Sequence, residues 1–294
     1  MAEQEIDEVT GVQTTGHEWD GIKELDNPMP RWWLWSFYAS IIFSIGYMLY
    51  YPAIPLLEGS TMGYSGKTNR SELKLEMAAA SSAKAEKIAL LNNTELGDIQ
   101  KNEDLSRFAV AGGSSLFKVY CTQCHGSGAQ GAPGYPNLND DDWLWGGDLE
   151  TIYTTIKHGV RNGEDDEARE SQMPSFGGDE TLKREEITAV VEYVMKLSKQ
   201  DHDAKLAAVG EPIFAEQCTA CHGDNATGGR EFGAPNLVDA ISLYGHTRVT
   251  MVSQISKPKH GVMPAWIEKL GEANIKQLAI YVHSLGGGEK AKSE

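Results

Sequence analysis

The four cysteines constrain this 294-residue chain more than any other feature. They fall into two copies of one five-residue pattern, CTQCH at Cys121, Cys124 and His125 and CTACH at Cys218, Cys221 and His222. C-x-x-C-H is the attachment signature of c-type haem. Two thiols one helical turn apart can add to the two vinyl groups on one porphyrin edge, and the adjoining histidine then lies under the iron as an axial ligand. A thioredoxin-like redox pair needs a βαβ setting that the flanking residues do not have. A zinc site built from all four cysteines would leave the histidine after each pair unexplained. Two copies that use every cysteine therefore predict two covalently bound haem c groups.

The repetition extends beyond the motif. SLFKVYCTQCHG aligns with PIFAEQCTACHG, PNL at Pro136–Leu138 with PNL at Pro235–Leu237, and KHGV at Lys157–Val160 with KHGV at Lys259–Val262. MPSF at Met173–Phe176 returns as MPAW at Met263–Trp266, and VEYVMKL matches AIYVHSL, with Tyr193 opposite Tyr281. This is a duplicated module of domain size, expected over residues 106–200 and 201–294. The first copy alone carries a 12-residue insertion, Arg161–Gln172, that holds Glu164, Asp165, Asp166, Glu167 and Glu170. Each module reads as a helix leading into C-x-x-C-H, a Gly- and Pro-rich loop, a middle helix, a Met-Pro loop and a terminal helix. In the first copy the terminal helix shows apolar spacing at Ile187, Val190, Val191, Val194 and Leu197. The pattern resembles class I cytochrome c, a small all-α fold around one haem.

Met173 and Met263 are the candidate sixth ligands. A thioether is soft, so His/Met ligation raises the potential and suits electron transfer. His158 and His260 are the rivals, because KHGV also repeats. The simplest arrangement is one complete module per haem, but an exchange of ligands between neighbouring modules would look identical in sequence, so the Met-to-haem pairing stays open. Trp143, Trp145, Tyr135, Phe176, Tyr244 and Trp266 are expected to wall the haems. Backbone carbonyls near Pro136 and Pro235 are placed to accept the ring N–H that orients each histidine.

From Trp32 to Leu57 there is no charged residue. At 1.5 Å per residue the Trp32–Tyr51 part spans roughly 30 Å, the thickness of a bilayer core. Trp32, Trp33 and Trp35 at one end and Tyr47, Tyr50 and Tyr51 at the other match interfacial belts, and Pro52 and Pro55 should end the helix. The ~30 acidic and polar residues that precede it do not read as a cleaved signal peptide. We therefore expect a tail over 1–30, an uncleaved anchor over 31–57 and a partly helical linker over 58–105. Gly59, Gly63 and Gly66 before that linker helix, and Gly112 and Gly113 after it, read as flexible joints. Lys23 and Arg31 on one side and Lys67, Arg70 and Lys74 on the other leave the positive-inside count ambiguous.

The formal charge of −16 argues against a nucleic-acid binder, which needs a basic face. Eight acids and one base lie in residues 1–30, and fifteen acids and nine bases in residues 106–200. The acidic first module is a candidate docking face for a basic donor. No hydrolytic triad, phosphate loop or carboxylate dyad emerges. The chain reads as an electron relay rather than a catalyst.

GHEWDGIKELDNPMPRWWLWSFY, followed by one helix ending YMLYYPAIPL, resembles the FixP/CcoP family, the dihaem subunits III of cbb3-type cytochrome c oxidase. The resemblance covers nearly the whole chain, and Trp19–Pro55 is its specific part. It implies an all-α protein with one N-terminal transmembrane helix and two class I cytochrome c domains. It implies a bacterial inner-membrane location, with the N-terminus cytoplasmic and the haem domains periplasmic, where c-type haem is attached. Electrons would pass from c-type cytochrome donors, soluble or membrane-bound, to the monohaem cytochrome c subunit and then the haem–copper catalytic subunit, which reduces O2. Both haems would have His/Met ligation, carried here by His125, His222, Met173 and Met263, with Cys121, Cys124, Cys218 and Cys221 as thioether anchors. The competing reading is a dihaem acceptor of a periplasmic dehydrogenase.

Overall fold

In the computed structural model, residues 5–290 are described, and the chain divides into two compact units, Met1–Ala83 and Lys84–Glu294. The first unit opens with two antiparallel strands, β1 (Thr14–Trp19) and β2 (Ile22–Leu25). They are joined by Asp20-Gly21, both with positive φ (51° and 84°). That is the two-residue hairpin turn whose twist matches its strands. The tail thus contains a small hairpin where an all-α chain is expected.

Helix α1 (Arg31–Tyr50) follows, 20 residues with none buried in the protein. Its length and apolar composition suffice to cross a membrane. Its few polar side chains are neutralised locally. Ser36, Ser40 and Ser44 hydroxyls donate to the carbonyls of Trp33, Phe37 and Ser40 at 2.7–2.8 Å, so these three hydroxyls are not left bare towards lipid. At the other end the carbonyls of Leu49 and Tyr50 accept from Tyr64 N and Ser65 N, which answers two of the orphaned groups of a helix C-terminus. A second short hairpin, β3 (Pro55–Leu56) and β4 (Gly59–Ser60), closes this turn. The linker helix is α2 (Asn69–Asn93), rich in Ala, Lys and Glu and exposed along most of its length.

The second unit contains α3 (Leu96–Lys101), α4 (Glu103–Tyr120), α5 (Thr122–His125), α6 (Leu149–His158), α7 (Arg184–Leu197), α8 (Ala204–Gln217), α9 (Thr219–His222), α10 (Arg248–Ser256), α11 (Ile267–Leu270) and α12 (Glu272–His283). Every helix expected of the two modules is present. Their packing, however, crosses the repeat boundary. The terminal helix of the second repeat, α12, packs on α4 and α6, while the terminal helix of the first, α7, packs on α8 and α10. One core therefore joins Phe117 and Ile156 to Ile275, Leu278 and Ile280. A second joins Val190 and Val194 to Phe214, and a smaller third holds Phe176, Leu182 and Ile187. The cores do not coincide with residues 106–200 and 201–294.

Two glycines make these crossings possible. A Cβ at Gly113 of α4 would lie 2.2 Å from Gln277 O of α12, and one at Gly210 of α8 would lie 2.0 Å from Ala189 O of α7. Only a glycine lets the backbones approach so closely. Gly112 and Gly113 are thus contact positions inside α4 rather than flexible joints.

The exchange needs two connectors, and they run side by side. Val160 and Met263 trade backbone hydrogen bonds at 2.9 Å in each direction, and Arg161 Nε donates to Gly261 O at 2.8 Å. The insertion folds back on itself, with Arg161 N on Arg169 O and Arg169 N on Gly159 O. Lys276 of α12 ties in the linker, its buried ammonium donating to the carbonyls of Leu91, Asn92 and Thr94 at 2.8–3.2 Å.

Candidate functional site

Both C-x-x-C-H motifs sit at the same kind of corner. Helix α4 ends at Cys121 and the single turn α5 follows at an angle; α8 ends at Cys218 and α9 follows. The cap residues have nearly the same backbone, φ −110° and −118°, ψ −29° and −30°. In each corner the first cysteine is half-buried and the second exposed, and all four thiols are free. Burial, and then the neighbouring thiol, pushes Cys121 and Cys218 up to about 11, so both remain protonated at neutral pH.

His125 Nδ1 donates to Pro136 O at 3.0 Å and His222 Nδ1 to Pro235 O at 3.1 Å. A carbonyl can only accept, so this contact fixes the tautomer and leaves Nε2 with its lone pair. Burial lowers both imidazoles below the ordinary histidine value, against the opposing pull of the proline carbonyl. Both are neutral at pH 7, the form that binds metal.

At the second motif a cavity of about 240 Å³, the second cavity below, opens between Cys218, Cys221 and His222 on one side and Met173, Val190 and Val194 on another. Met173 comes from the first repeat. Its segment is held at the end of α10, where Gly177 N, Gly178 N and Ser175 Oγ all donate to Ser256 O. Met263, from the second repeat, packs instead with Trp266 against the core that contains Cys121 and Phe117. The structure thus groups Cys218, Cys221 and His222 with Met173, and Cys121 and its core with Met263. Paired thiols, a neutral imidazole with a free Nε2 and a thioether around an apolar cavity make a donor set that fits c-type haem.

Two comparisons with known proteins bear on what these centres belong to. Residues 11–58 match a family described as the N-terminal domain of cytochrome oxidase-cbb3, FixP. Residues 108–194 and 205–282 match one described as cytochrome c oxidase, cbb3-type, subunit III. The cbb3-type cytochrome c oxidase subunit CcoP of Cereibacter sphaeroides is 53% identical over 276 residues, covering 94% of this chain and 95% of that protein. Subunit FixP of Sinorhizobium medicae is 52% identical over 284 residues, covering 97% and 98%, and CcoP of Azospirillum brasilense is 47% identical over 296, covering 98% and 100%.

The chain belongs to the FixP/CcoP family. It is a subunit III of cbb3-type cytochrome c oxidase, an electron-transfer cytochrome with one membrane-capable helix and two cytochrome c regions.

The aromatic residues expected to wall the haems take different places in the structure. Phe176 and Tyr244 line the second cavity, and Trp143 and Trp266 pack against the first core. Trp143 also donates to Gly287 O at 2.7 Å. Trp145 lies beneath the Arg169 guanidinium, 5.2 Å from its ring centroid, and Tyr135 is 44% exposed in the loop. Both ring nitrogens of His158 face carboxylates rather than a methionine or cysteine. Its Nδ1 faces Asp165 and its Nε2 faces Glu167, each at 3.0 Å, inside the acidic insertion. His260 lines the second cavity, where burial and the Arg161 guanidinium lower its pKa against the Met173 carbonyl.

Sequence reasoning missed three groups. Glu192, 4% exposed, pairs with Arg248 and accepts from Asp203 N, binding α7 to the start of α8 and to α10. Arg161 reaches from the first repeat's insertion into the second cavity. His246 lines that cavity with a buried Nε2 that has no hydrogen-bond partner among the described residues. The insertion hinted at Arg161; a single histidine in a loop gave no signal for His246.

Proposed function

We propose that the protein carries two covalently attached haem c groups and relays electrons through them, from c-type cytochrome donors to the monohaem and haem–copper subunits of its oxidase. The observation that carries this reading is the second cavity, where two thiols, a neutral imidazole and a thioether from different repeats converge. A c-type haem supplies one-electron exchange between ferric and ferrous iron. Cys121 and Cys124 would anchor one, with His125 and Met263 as axial ligands. Cys218 and Cys221 would anchor the other, with His222 and Met173.

Each axial histidine is held by its proline carbonyl, which fixes ring orientation and makes Nε2 a better donor. Each methionine arrives on a segment pinned by hydrogen bonds, Met263 on Val160 and the Met173 segment on Ser256. A soft thioether from Met173 or Met263 would favour the ferrous state of the haem it holds. With a histidine and a methionine of this chain holding each haem, the chemistry supplied would be electron transfer, and O2 reduction would fall to the partner subunit.

Helix α1 crosses the bilayer once, with the N-terminal hairpin cytoplasmic and residues 58–294 periplasmic in the bacterial inner membrane. Covalent attachment of haem outside the cytoplasm supports this orientation where the Lys/Arg count is ambiguous. Purification in mild detergent tests the assignment. The expected preparation contains haem c, haem b, copper and O2-consuming activity together. Recovery with a dehydrogenase, and never with haem b or copper, would instead support the acceptor role.

A further inference from the structure

The wall of the second cavity has an unusual charge balance. The chain has 42 acidic residues, yet among the described residues no Asp or Glu lines this cavity. Its ionisable side chains besides Cys218, Cys221 and His222 are Arg161, Tyr244, His246, Lys259 and His260. An acidic protein has here built a site free of negative charge.

Two of these groups are incompletely used. His246 Nε2 is buried without a partner among the described residues, and a buried polar group left unsatisfied is destabilising. Arg161 is half-buried and held rigidly, Nε on Gly261 O at 2.8 Å and Nη1 on Ser171 O at 2.9 Å. Its Nη2 has no hydrogen bond, and its guanidinium no ion pair, to a described residue. Arg230 and Arg248, by contrast, are paired with Glu289 and Glu192. A pre-oriented guanidinium with an open edge is suited to a carboxylate.

We propose that Arg161 and His246 hold a haem propionate at the second centre, so that the first repeat's insertion sets the potential of the haem attached through the second repeat. This rests on the haem reading above. Haem carries two propionates, and once Cys218 and Cys221 fix the vinyl edge those carboxylates need partners within the same cavity. A cation beside a propionate offsets its negative charge near the iron. Removing the cation leaves that charge to stabilise ferric over ferrous iron, so the potential falls.

The test is redox titration of the haem c groups in the purified oxidase, in parallel for wild type, Arg161→Gln, Arg161→Lys and His246→Leu. Covalent haem content and the Met–iron absorption band are recorded on each sample. Absence of haem or of that band in the wild type would sink the haem reading itself, separately from this proposal. With both present, Arg161→Gln is expected to shift the redox equilibrium of one haem at least tenfold towards ferric, a fall of about 59 mV for one electron. Arg161→Lys, which keeps the charge but loses the fork that tethers Gly261 and Ser171, should restore most of it. His246→Leu should move the same haem in the same direction by less. If Arg161→Gln fails to assemble, His246→Leu decides the matter. Unchanged potentials, or a loss in Arg161→Gln that Arg161→Lys does not recover, would overturn the proposal and leave Arg161 as a tether for the connector.

Discussion

Leu278→Ala offers the clearest reading of the exchanged packing. Leu278 lies on α12, in the second repeat, yet its side chain is 1% exposed within the core built by α4 and α6 of the first. A fully buried Leu→Ala change costs about 2–5 kcal/mol, from lost transfer energy and the cavity left behind. Near 3 kcal/mol, local opening becomes about a hundred times more frequent, since each 1.4 kcal/mol is tenfold. That is a large part of the ~5–15 kcal/mol that holds a domain folded. The assay is denaturant titration of the full chain, following Met–iron ligation at each haem. The expected result is early loss of ligation at the haem on Cys121 and Cys124, with the haem on Cys218 and Cys221 little changed. Early loss at the second centre alone would refute the packing, because it would return α12 to its own repeat.

Three further outcomes follow from the same contacts. Gly210→Ala should weaken the second core by about 1–3 kcal/mol through the clash with Ala189 O, while Gly97→Ala, with open space around it, should leave melting unchanged or raise it; thermal melts compare the two. The Arg248 contact holds Glu192 below its ordinary value of 4.5. A depressed carboxylate gives stability that is full above about pH 4.5 and is lost as pH falls through its lower folded value, so wild type should lose helical CD on acidification below pH 4.5 more steeply than Glu192→Gln, and equal slopes would remove the link. Glu164, Asp166 and Glu167 are exposed on the insertion, so replacing them with Gln or Asn should slow reduction by a basic cytochrome donor at low salt and flatten its salt dependence; an unchanged rate in stopped flow would argue that this face does not dock the donor.

Much of this molecule is legible in its sequence because the relevant physics is local. An uncharged run long enough for a bilayer gave α1, apolar spacing from Ile187 to Leu197 gave α7, and the cysteine spacing gave both corners. The Asp20-Gly21 turn was equally local and carried its own hairpin signal, hidden in a stretch read as a tail. The exchange of α7 and α12 is a different matter. Gly113 and Gly210 open equivalent grooves, and VEYVMKL and AIYVHSL are equivalent ridges, so either pairing satisfies the same local rules. What separates them is the course of two connectors, fixed by long-range bonds such as Val160 to Met263 and Gly177 to Ser256. The orphaned nitrogen of His246 is likewise a property of its three-dimensional surroundings, not of its neighbours in the chain.

The pairing of ligands across the repeats is tested most directly in a chain that keeps one attachment site. With Cys121 and Cys124 replaced by alanine, the single remaining haem c is bound through Cys218 and Cys221, and its midpoint potential can be titrated without ambiguity of assignment. In this background Met173→His should lower the potential by more than about 59 mV, a tenfold change in the redox equilibrium, because imidazole replaces a soft thioether. Met263→His should leave it in place. A large fall with Met263→His and none with Met173→His would contradict the account.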